Sequence, residues 1–439
     1  VSLGCPKNLV DSEHLLGLLA AEGLQIVEEP AEAEVLIVNT CAFITPAEEE
    51  AIEALLDLAD LKTEGRCQVL LAAGCLPQRR GEELLSALPE LDGCLGVGAL
   101  PRISELVRRT LGGERVFLSG DLSFSPTVTL PRWHSGAPWL AYLRIADGCD
   151  HRCAFCTIPS IRGRYRSRTP EDLQAEFQRL VGEGVQEVCL IAQDTSAYGR
   201  DLPGRPDLAE LLSRLGEIPF TGWLRLLYLH PAHVTERLLQ TMAATPGVLP
   251  YLDLPLQHAA GSVLQRMGRA GNKQDYLQLV AKIRSELPGA ALRSTFITGF
   301  PGETEEEFAE LLAFLQEARL DRVSAFRYWP EEGTRAANLP GAVPEEVAEE
   351  RWAQLMQLQE NLSLEANEQL VGRRLQVLVE ERREQLWVGR SYRDAPEVDG
   401  EVKIEVAGGV GQEELGGRFL DVQITRAEVH DLLGTATVP

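Results

Sequence analysis

Residues 1 to 110 alternate short apolar runs with amphipathic stretches. VSLG precedes a helical pattern at 9–21, VLIVN one at 47–61, QVLLAAG one at 79–88 and LGVG one at 102–111. Runs of four to seven apolar residues, each followed by 3.6-residue periodicity, predict β-α units and a parallel, doubly wound sheet. Between 112 and 138 Gly, Ser, Thr and Pro replace the pattern, which predicts a linker. From 139 to 330 the alternation resumes, predicting strands at 140–145, 187–191, 223–228, 251–254, 292–297 and 322–326. Helices are predicted between and after them at 170–181, 208–215, 234–243, 272–287 and 305–318. Six β-α repeats predict a partial (β/α)6 barrel with its chemistry at the C-terminal strand ends. A long Glu-, Leu- and Gln-rich helix follows at 344–371, opened by Pro344. The period then changes to two: LQVLVEE, QLWVGRS, VKIEVAG and RFLDVQITRAEVHDLLGTAT predict a small antiparallel β-barrel. The chain is therefore expected to be a multidomain α/β protein with units at 1–111, 135–368 and 369–437.

Composition narrows the class. A chain of 439 residues implies two or three domains. Hydrophobic residues make up 44% and charged residues 25%, the balance of a soluble globular protein, and no apolar run is long enough to span a bilayer. No membrane partner is expected. The chain opens on Val1 inside a strand pattern and carries no secretory signal, so missing N-terminal residues and a cytoplasmic setting are the expectations. Nine cysteines in such a chain point to metal or redox chemistry rather than disulfides. The net charge of −24 argues against a protein gripping nucleic-acid phosphates; it suits a basic protein partner, or simply solubility.

The segment ADGCDHRCAFCTIP places Cys149, Cys153 and Cys156 just after the first barrel strand, spaced C-x3-C-x2-C. Three thiolates can hold three irons of a 4Fe-4S cluster and leave the fourth open for an outside ligand. A zinc site recruiting His151, or three buried thiols without metal, are the other readings. Cys5 in SLGC, Cys41 in IVNTC and Cys75 in LAAGC each end a predicted strand. Parallel pairing brings all three to one sheet edge, where open α/β sheets bind ligands. Cys67, Cys94 and Cys189 lie outside this pattern and read as buried apolar residues. In FITGFPGETEEEF, Gly299, Gly302 and Glu303 follow a strand, where glycines admit close backbone approach to a ligand or serve as a plain connection. Gln193 with Asp194, and Gln257 with His258, stand at other strand ends facing the barrel mouth; a lone histidine there is commonly a packed one. Arg162, Arg164, Arg166 and Arg168 alternate in an extended segment that could meet a carboxylate-bearing substrate or ribosomal RNA, or pair within this acidic protein.

The central cysteine spacing is similar to the signature of the radical S-adenosylmethionine superfamily. That resemblance implies S-adenosylmethionine on the open iron, reductive cleavage to a 5′-deoxyadenosyl radical, Phe155 near the adenine, and the Gly299–Glu303 loop against the adenosine. The flanks of Cys5, Cys41 and Cys75 resemble the methylthiotransferases, which implies a second 4Fe-4S cluster tied to sulfur delivery, S-adenosylmethionine also as methyl donor, and a C-terminal barrel of the TRAM type. SLGCPKNLVDSE, RIADGCDHRCAFCTIPSIRGRYRSR and AQDTSAYG look like the RimO family, whereas the transfer-RNA enzymes typically read GCQMN at the first cysteine. The RimO resemblance implies methylthiolation at the β-carbon of an aspartate in the small-subunit ribosomal protein twelve, free or in the ribosome. It also implies a low-potential electron donor and a sulfur donor. No catalytic side chain beyond the cluster ligands is assigned. Charge agrees: residues 370–439 hold 9 Lys and Arg against 13 Asp and Glu, and residues 1–110 hold 8 against 19. Such surfaces suit a basic ribosomal protein better than transfer RNA. A transfer-RNA methylthiotransferase is the alternative within the enzyme class. A two-cluster electron carrier or a zinc-stabilised ribosome-binding protein are alternatives outside it, although carriers complete four-cysteine ligation where each group here stops at three.

Overall fold

The computed structural model describes residues 1–407 and 415–437; Gly408, the last residue of the predicted VKIEVAG strand, lies outside them. In the first unit β1 (Val35–Thr40), β2 (Val69–Gly74), β3 (Gly93–Gly96) and β4 (Val116–Leu118) pair in parallel, in that order. The VSLG run joins β1 through a parallel bridge from Ser2 to Asn39 and is not a strand of the sheet. Strand β2 is buried on both sides. Leu70 and Ala72 pack with Ala51, Leu55 and Leu84 of the helices Thr45–Ala59 and Cys75–Ala87. Val69, Leu71 and Ala73 pack with Leu15, Leu19, Ile103 and Leu106 of the helices Pro6–Ala21 and Ile103–Leu111. A continuous apolar strand is what a sheet covered on both faces requires. The predicted linker needs correction here, because β4 lies inside it and completes the sheet against β3.

The central unit carries β5 (Leu140–Arg144), β6 (Ala146–Asp147), β7 (Arg166–Ser167), β8 (Glu187–Ile191), β9 (Trp223–Leu226), β10 (Tyr251–Asp253), β11 (Ala291–Thr298) and β12 (Arg322–Arg327). The six long strands are parallel, in ladders β5-β8-β9 and β10-β11-β12. Between β9 and β10 the ladder is interrupted, and the seam is stitched by Leu249 N–H donating to the Leu224 carbonyl at 2.9 Å and Leu229 N–H to the Asp253 carbonyl at 2.8 Å. The short β6 and β7 pair antiparallel and were not expected; they close the base of the cysteine loop between them. The long helix Glu345–Glu368 packs on β12, with the Trp352 indole N–H donating to the Ala325 carbonyl at 2.9 Å.

At the C-terminus β13 (Arg374–Arg383), β14 (Leu386–Ser391), β15 (Val402–Ala407), β16 (Phe419–Ala427) and β17 (Leu432–Thr437) close a barrel in the order β13-β14-β15-β17-β16. Its pairings are antiparallel except β15 with β17, which runs parallel. The barrel docks on the N-terminal ends of the central strands: buried Glu187 receives Arg225 at 2.6 Å and Arg390 at 2.7 Å, and Arg322 meets Asp394 at 2.7 Å. The first unit covers the opposite end, with Asp11 on Arg144 at 2.5 Å and on Arg162 at 2.8 Å, and Glu331 on Arg79 at 3.1 Å. The C-terminal strand ends of the central unit therefore face the cysteine edge of the first sheet.

Candidate functional site

Cys5 caps the helix Pro6–Ala21, Cys41 follows β1, and Cys75 opens the helix Cys75–Ala87 directly after β2. Parallel register sets Thr40 beside Gly74 and Ser2 beside Asn39, so the next residues of each strand emerge together. Gly4 lies so close to Cys41 that a Cβ there would fall 2.7 Å from the Cys41 Cβ, and Gly4 has a φ of +84°. Asn8, one turn beyond Cys5, ties the three loops. Its amide donates to the Leu3 carbonyl at 3.1 Å and the Thr40 carbonyl at 2.8 Å, and its Oδ1 accepts from the Cys75 thiol at 3.5 Å. Nothing in the pattern of apolar residues singled out Asn8; its placement one turn after a strand-end cysteine was the available signal.

Cys149, Cys153 and Cys156 sit in the loop between β6 and the helix Ile158–Arg162. Three backbone bonds shape it: Cys149 N–H to the Gly163 carbonyl at 3.1 Å, Ala154 N–H to the Met267 carbonyl at 2.7 Å, and Ala336 N–H to the Ala154 carbonyl at 2.8 Å. The helix Gly261–Met267, absent from the sequence expectations, supplies one of these anchors.

Both triads line one cavity of about 360 Å³, walled also by Lys7, Phe155, Gln193, Asp194, Tyr228 and Gln257. All nine cysteines are free thiols; Cys67, Cys94 and Cys189 are buried away from this cavity, as their contexts predicted. Burial pushes the Cys75 and Cys156 thiols up to about 12 and Cys149 to about 11, and raises Cys41. Burial would raise Cys5 too, but Lys7, Arg162 and the amides of the following helical turn outweigh it and hold that thiol low. Desolvated thiols gathered in threes surrender their protons to a metal. The donor set therefore fits iron-sulfur ligation, and the unpartnered buried Oε1 of Gln193 leaves an acceptor open beside it.

Of the other predicted site residues, Phe155, Gln193 and Gln257 line this cavity. Gly299 instead lines a separate cleft with Tyr328 and Trp329, and Gly302 and Glu303 line neither. Glu303 is turned into the fold, accepting from the Gly299 amide at 3.1 Å and from Arg351 at 2.8 Å, with His258 Nε2 at 3.5 Å. His258 is the packed histidine that its isolation predicted. The arginine run resolves toward pairing within the protein: Arg162 is buried between Asp11, Asp147 and Asn8, Arg164 meets Asp150, and Arg168 meets Asp172 and Glu176. Burial opposes ionisation of Asp147, but Arg162, Arg144 and Arg166 overcome it and hold that carboxyl at about 2. Lys7, Tyr228 and Arg269 also line the cavity and were not singled out from sequence.

Comparison with known proteins agrees with this architecture. The model of the radical SAM superfamily matches residues 143–315, that of "Uncharacterized protein family UPF0004" residues 1–96, and that of the TRAM domain residues 371–437. Proteins named ribosomal protein uS12 methylthiotransferase RimO are 47% identical in Pelotomaculum thermopropionicum and 48% in Moorella thermoacetica, each over 99% of this chain and 98% of the relative. A third, from Geobacter sulfurreducens, is 46% identical over 99% of this chain and 97% of its own length. Among solved structures, the radical S-adenosylmethionine methyltransferase TsrM from Kitasatospora setae shares the fold at a TM-score of 0.55 and 14% identity, over 88% of this chain and 78% of that one. With two cysteine triads on one cavity and relatives matched from end to end, the chain belongs to the RimO family of ribosomal protein uS12 methylthiotransferases.

Proposed function

We propose that this protein is a radical S-adenosylmethionine methylthiotransferase that adds a methylthio group to the β-carbon of an aspartate in ribosomal protein uS12. The observation that carries the reading is the single cavity shared by Cys5, Cys41 and Cys75 on one side and Cys149, Cys153 and Cys156 on the other. Each triad would hold one 4Fe-4S cluster, and S-adenosylmethionine would bind beside Cys149, Cys153 and Cys156. When bound, these groups supply a carbon-centred radical for hydrogen removal and the sulfur and methyl that replace the hydrogen.

The protein's own residues orient and exclude. Phe155, Leu229 and Ile161 give the cavity apolar walls, which keep water from a reactive radical. Gln193 is steadied by its Nε2 donating to Asp147 at 3.0 Å, which leaves its Oε1 toward a ligand. Arg162 donates to Asn8 Oδ1 at 2.6 Å and reaches the Cys75 sulfur at 3.7 Å, a fixed positive charge against the first triad. Tyr228, two residues beyond β9, and Gln257, four residues beyond β10 and bridged to Phe296, hold φ of +61° and +74°, strained positions whose side chains line the cavity. An electron donor and a sulfur donor are required partners. Among the described residues no helix is long and apolar enough to cross a membrane.

The test is direct. Anaerobically reconstituted protein, incubated with S-adenosylmethionine, a reductant, a sulfide source and uS12, should yield 5′-deoxyadenosine and a methylthio mass gain on one aspartate. A mass gain on transfer RNA with uS12 unchanged would overturn the substrate assignment.

A further inference from the structure

Three cations line the shared cavity: Lys7, Arg162 and Arg269. Arg162 is saturated by Asp11, Asp147 and Asn8. Arg269 donates to the Pro255 carbonyl at 2.8 Å and reaches the Cys153 sulfur at 3.8 Å, which makes it the cation of the second triad. Lys7 is held by less than either. It is buried, among the described residues no carboxylate pairs with it, and its one hydrogen bond is a long 3.4 Å contact to the Ala192 carbonyl; the anionic group it faces is the Cys5 sulfur, which it shares with Arg162. Its Nζ stands 3.4 Å above the Tyr228 ring, the residue whose φ of +61° is costly for a bulky side chain.

An ammonium has three protons to donate, and leaving it buried without an anion is expensive. The cation–π contact with Tyr228 offsets part of that cost and fixes where Nζ points. Cys5 is shared with Arg162 and makes no hydrogen bond to Nζ, so the ammonium keeps protons for a second acceptor, an oxygen anion supplied from the cavity side. Two carboxylates enter this cavity on the proposed function: that of S-adenosylmethionine and that of the target aspartate. The first belongs with Cys149, Cys153 and Cys156, beside Arg269. Lys7 sits on the opposite wall, two residues after Cys5 and against the ends of β8 and β9.

We propose that Lys7 is the specificity residue of the reaction: its ammonium receives the side-chain carboxylate of the target aspartate and so sets the β-carbon within the cavity that the two triads share. This rests on the proposed function and adds to it a reason for aspartate. A neutral group in the same place, an asparagine amide or a nucleobase, denies those protons an anionic acceptor, and such an omission discriminates strongly in a buried site.

The experiment measures equilibrium binding of uS12, and of uS12 with asparagine at the target position, to reconstituted protein with S-adenosylmethionine and no reductant. The unaltered enzyme should bind the aspartate form about 100-fold more tightly, the range expected for a desolvated charge pair. Lys7→Met, similar in volume and neutral, should bind both forms within about threefold of each other. Lys7→Arg should keep the preference. Iron and sulfide content of Lys7→Met equal to the unaltered protein's would show that the charge acts on substrate and not on cluster assembly. Equal binding of the two forms by the unaltered enzyme overturns the proposal without recourse to any variant, as does an aspartate preference that survives in Lys7→Met. If the unaltered enzyme neither binds nor modifies the aspartate form, it is the proposed function that fails.

Discussion

Cys149, Cys153 and Cys156 occupy one short loop closed at its base by β6 and β7, whereas Cys5, Cys41 and Cys75 come from three separate strand ends. The two triads face the same cavity and depend on different physics. The compact one is shaped by local backbone bonds, with anchors from Met267 and Ala336. The dispersed one exists only while the first sheet keeps its register, because a slip of one residue would turn each strand's side chains to the other face. Asn8 and Arg162 are the price of that dispersal: buried polar side chains that join the three cysteine loops to each other and to the central unit. A metal centre built from neighbours in sequence needs few supports, and one built across a sheet needs a polar network to fix it.

The largest test of the contrast is chemical. Cys153→Ala should lower 5′-deoxyadenosine formation by about 1000-fold or more, as expected when the group carrying the chemistry is lost. Cys41→Ala should retain 5′-deoxyadenosine formation, lose about half of the bound iron, and give no methylthio product by mass spectrometry. Loss of 5′-deoxyadenosine in Cys41→Ala would erase the division of labour between the triads. Next in size, Arg162→Met takes one buried cation from Asp11 and Asp147, which keep Arg144, and should cost about 3 kcal/mol in guanidinium unfolding. A value near zero would show that the two units are not joined there. Thr304→Ala removes the capping box of the helix Glu305–Ala318, in which Thr304 Oγ1 accepts from the Glu307 amide at 3.3 Å. It should cost about 1 kcal/mol while leaving the iron content of both triads untouched. Smallest of all, Arg164→Ala in the exposed pair with Asp150 should change stability by less than about 0.5 kcal/mol, which separates it from Arg162 two positions away.

Legibility followed the same divide. The barrel strands could be placed from sequence because short segments rich in apolar residues alternate with amphipathic helical stretches; Glu187–Ile191 and the helix Glu305–Ala318 match their predicted bounds. Strand β4 was hidden because Val116–Leu118 is three residues long and set among Gly and Ser. The β6–β7 pair was hidden because two-residue strands carry no periodicity. Alternation in the arginine run predicted one face of an extended segment, but Arg162 ends the helix Ile158–Arg162 and is buried while Arg164 is exposed, and the partners Asp11 and Asp172 come from opposite sides of the run in sequence. The Gly299–Glu303 turn was placed correctly at a strand end, yet Glu303 points to Arg351 and His258 rather than to the triads, and only packing of the long helix decides that.

Local order along the chain was enough to establish the two cysteine groups, the β-α and barrel periods, and a family resemblance that the full-length relatives bear out. These are properties of spacing, which a chain carries before it folds. That both groups open on one cavity, that Arg162 is paired within the protein, and that Lys7 is buried with no carboxylate partner among the described residues were decided by tertiary structure. Each depends on which side chains from distant segments compete for the same charge, and that competition is settled only when the segments meet.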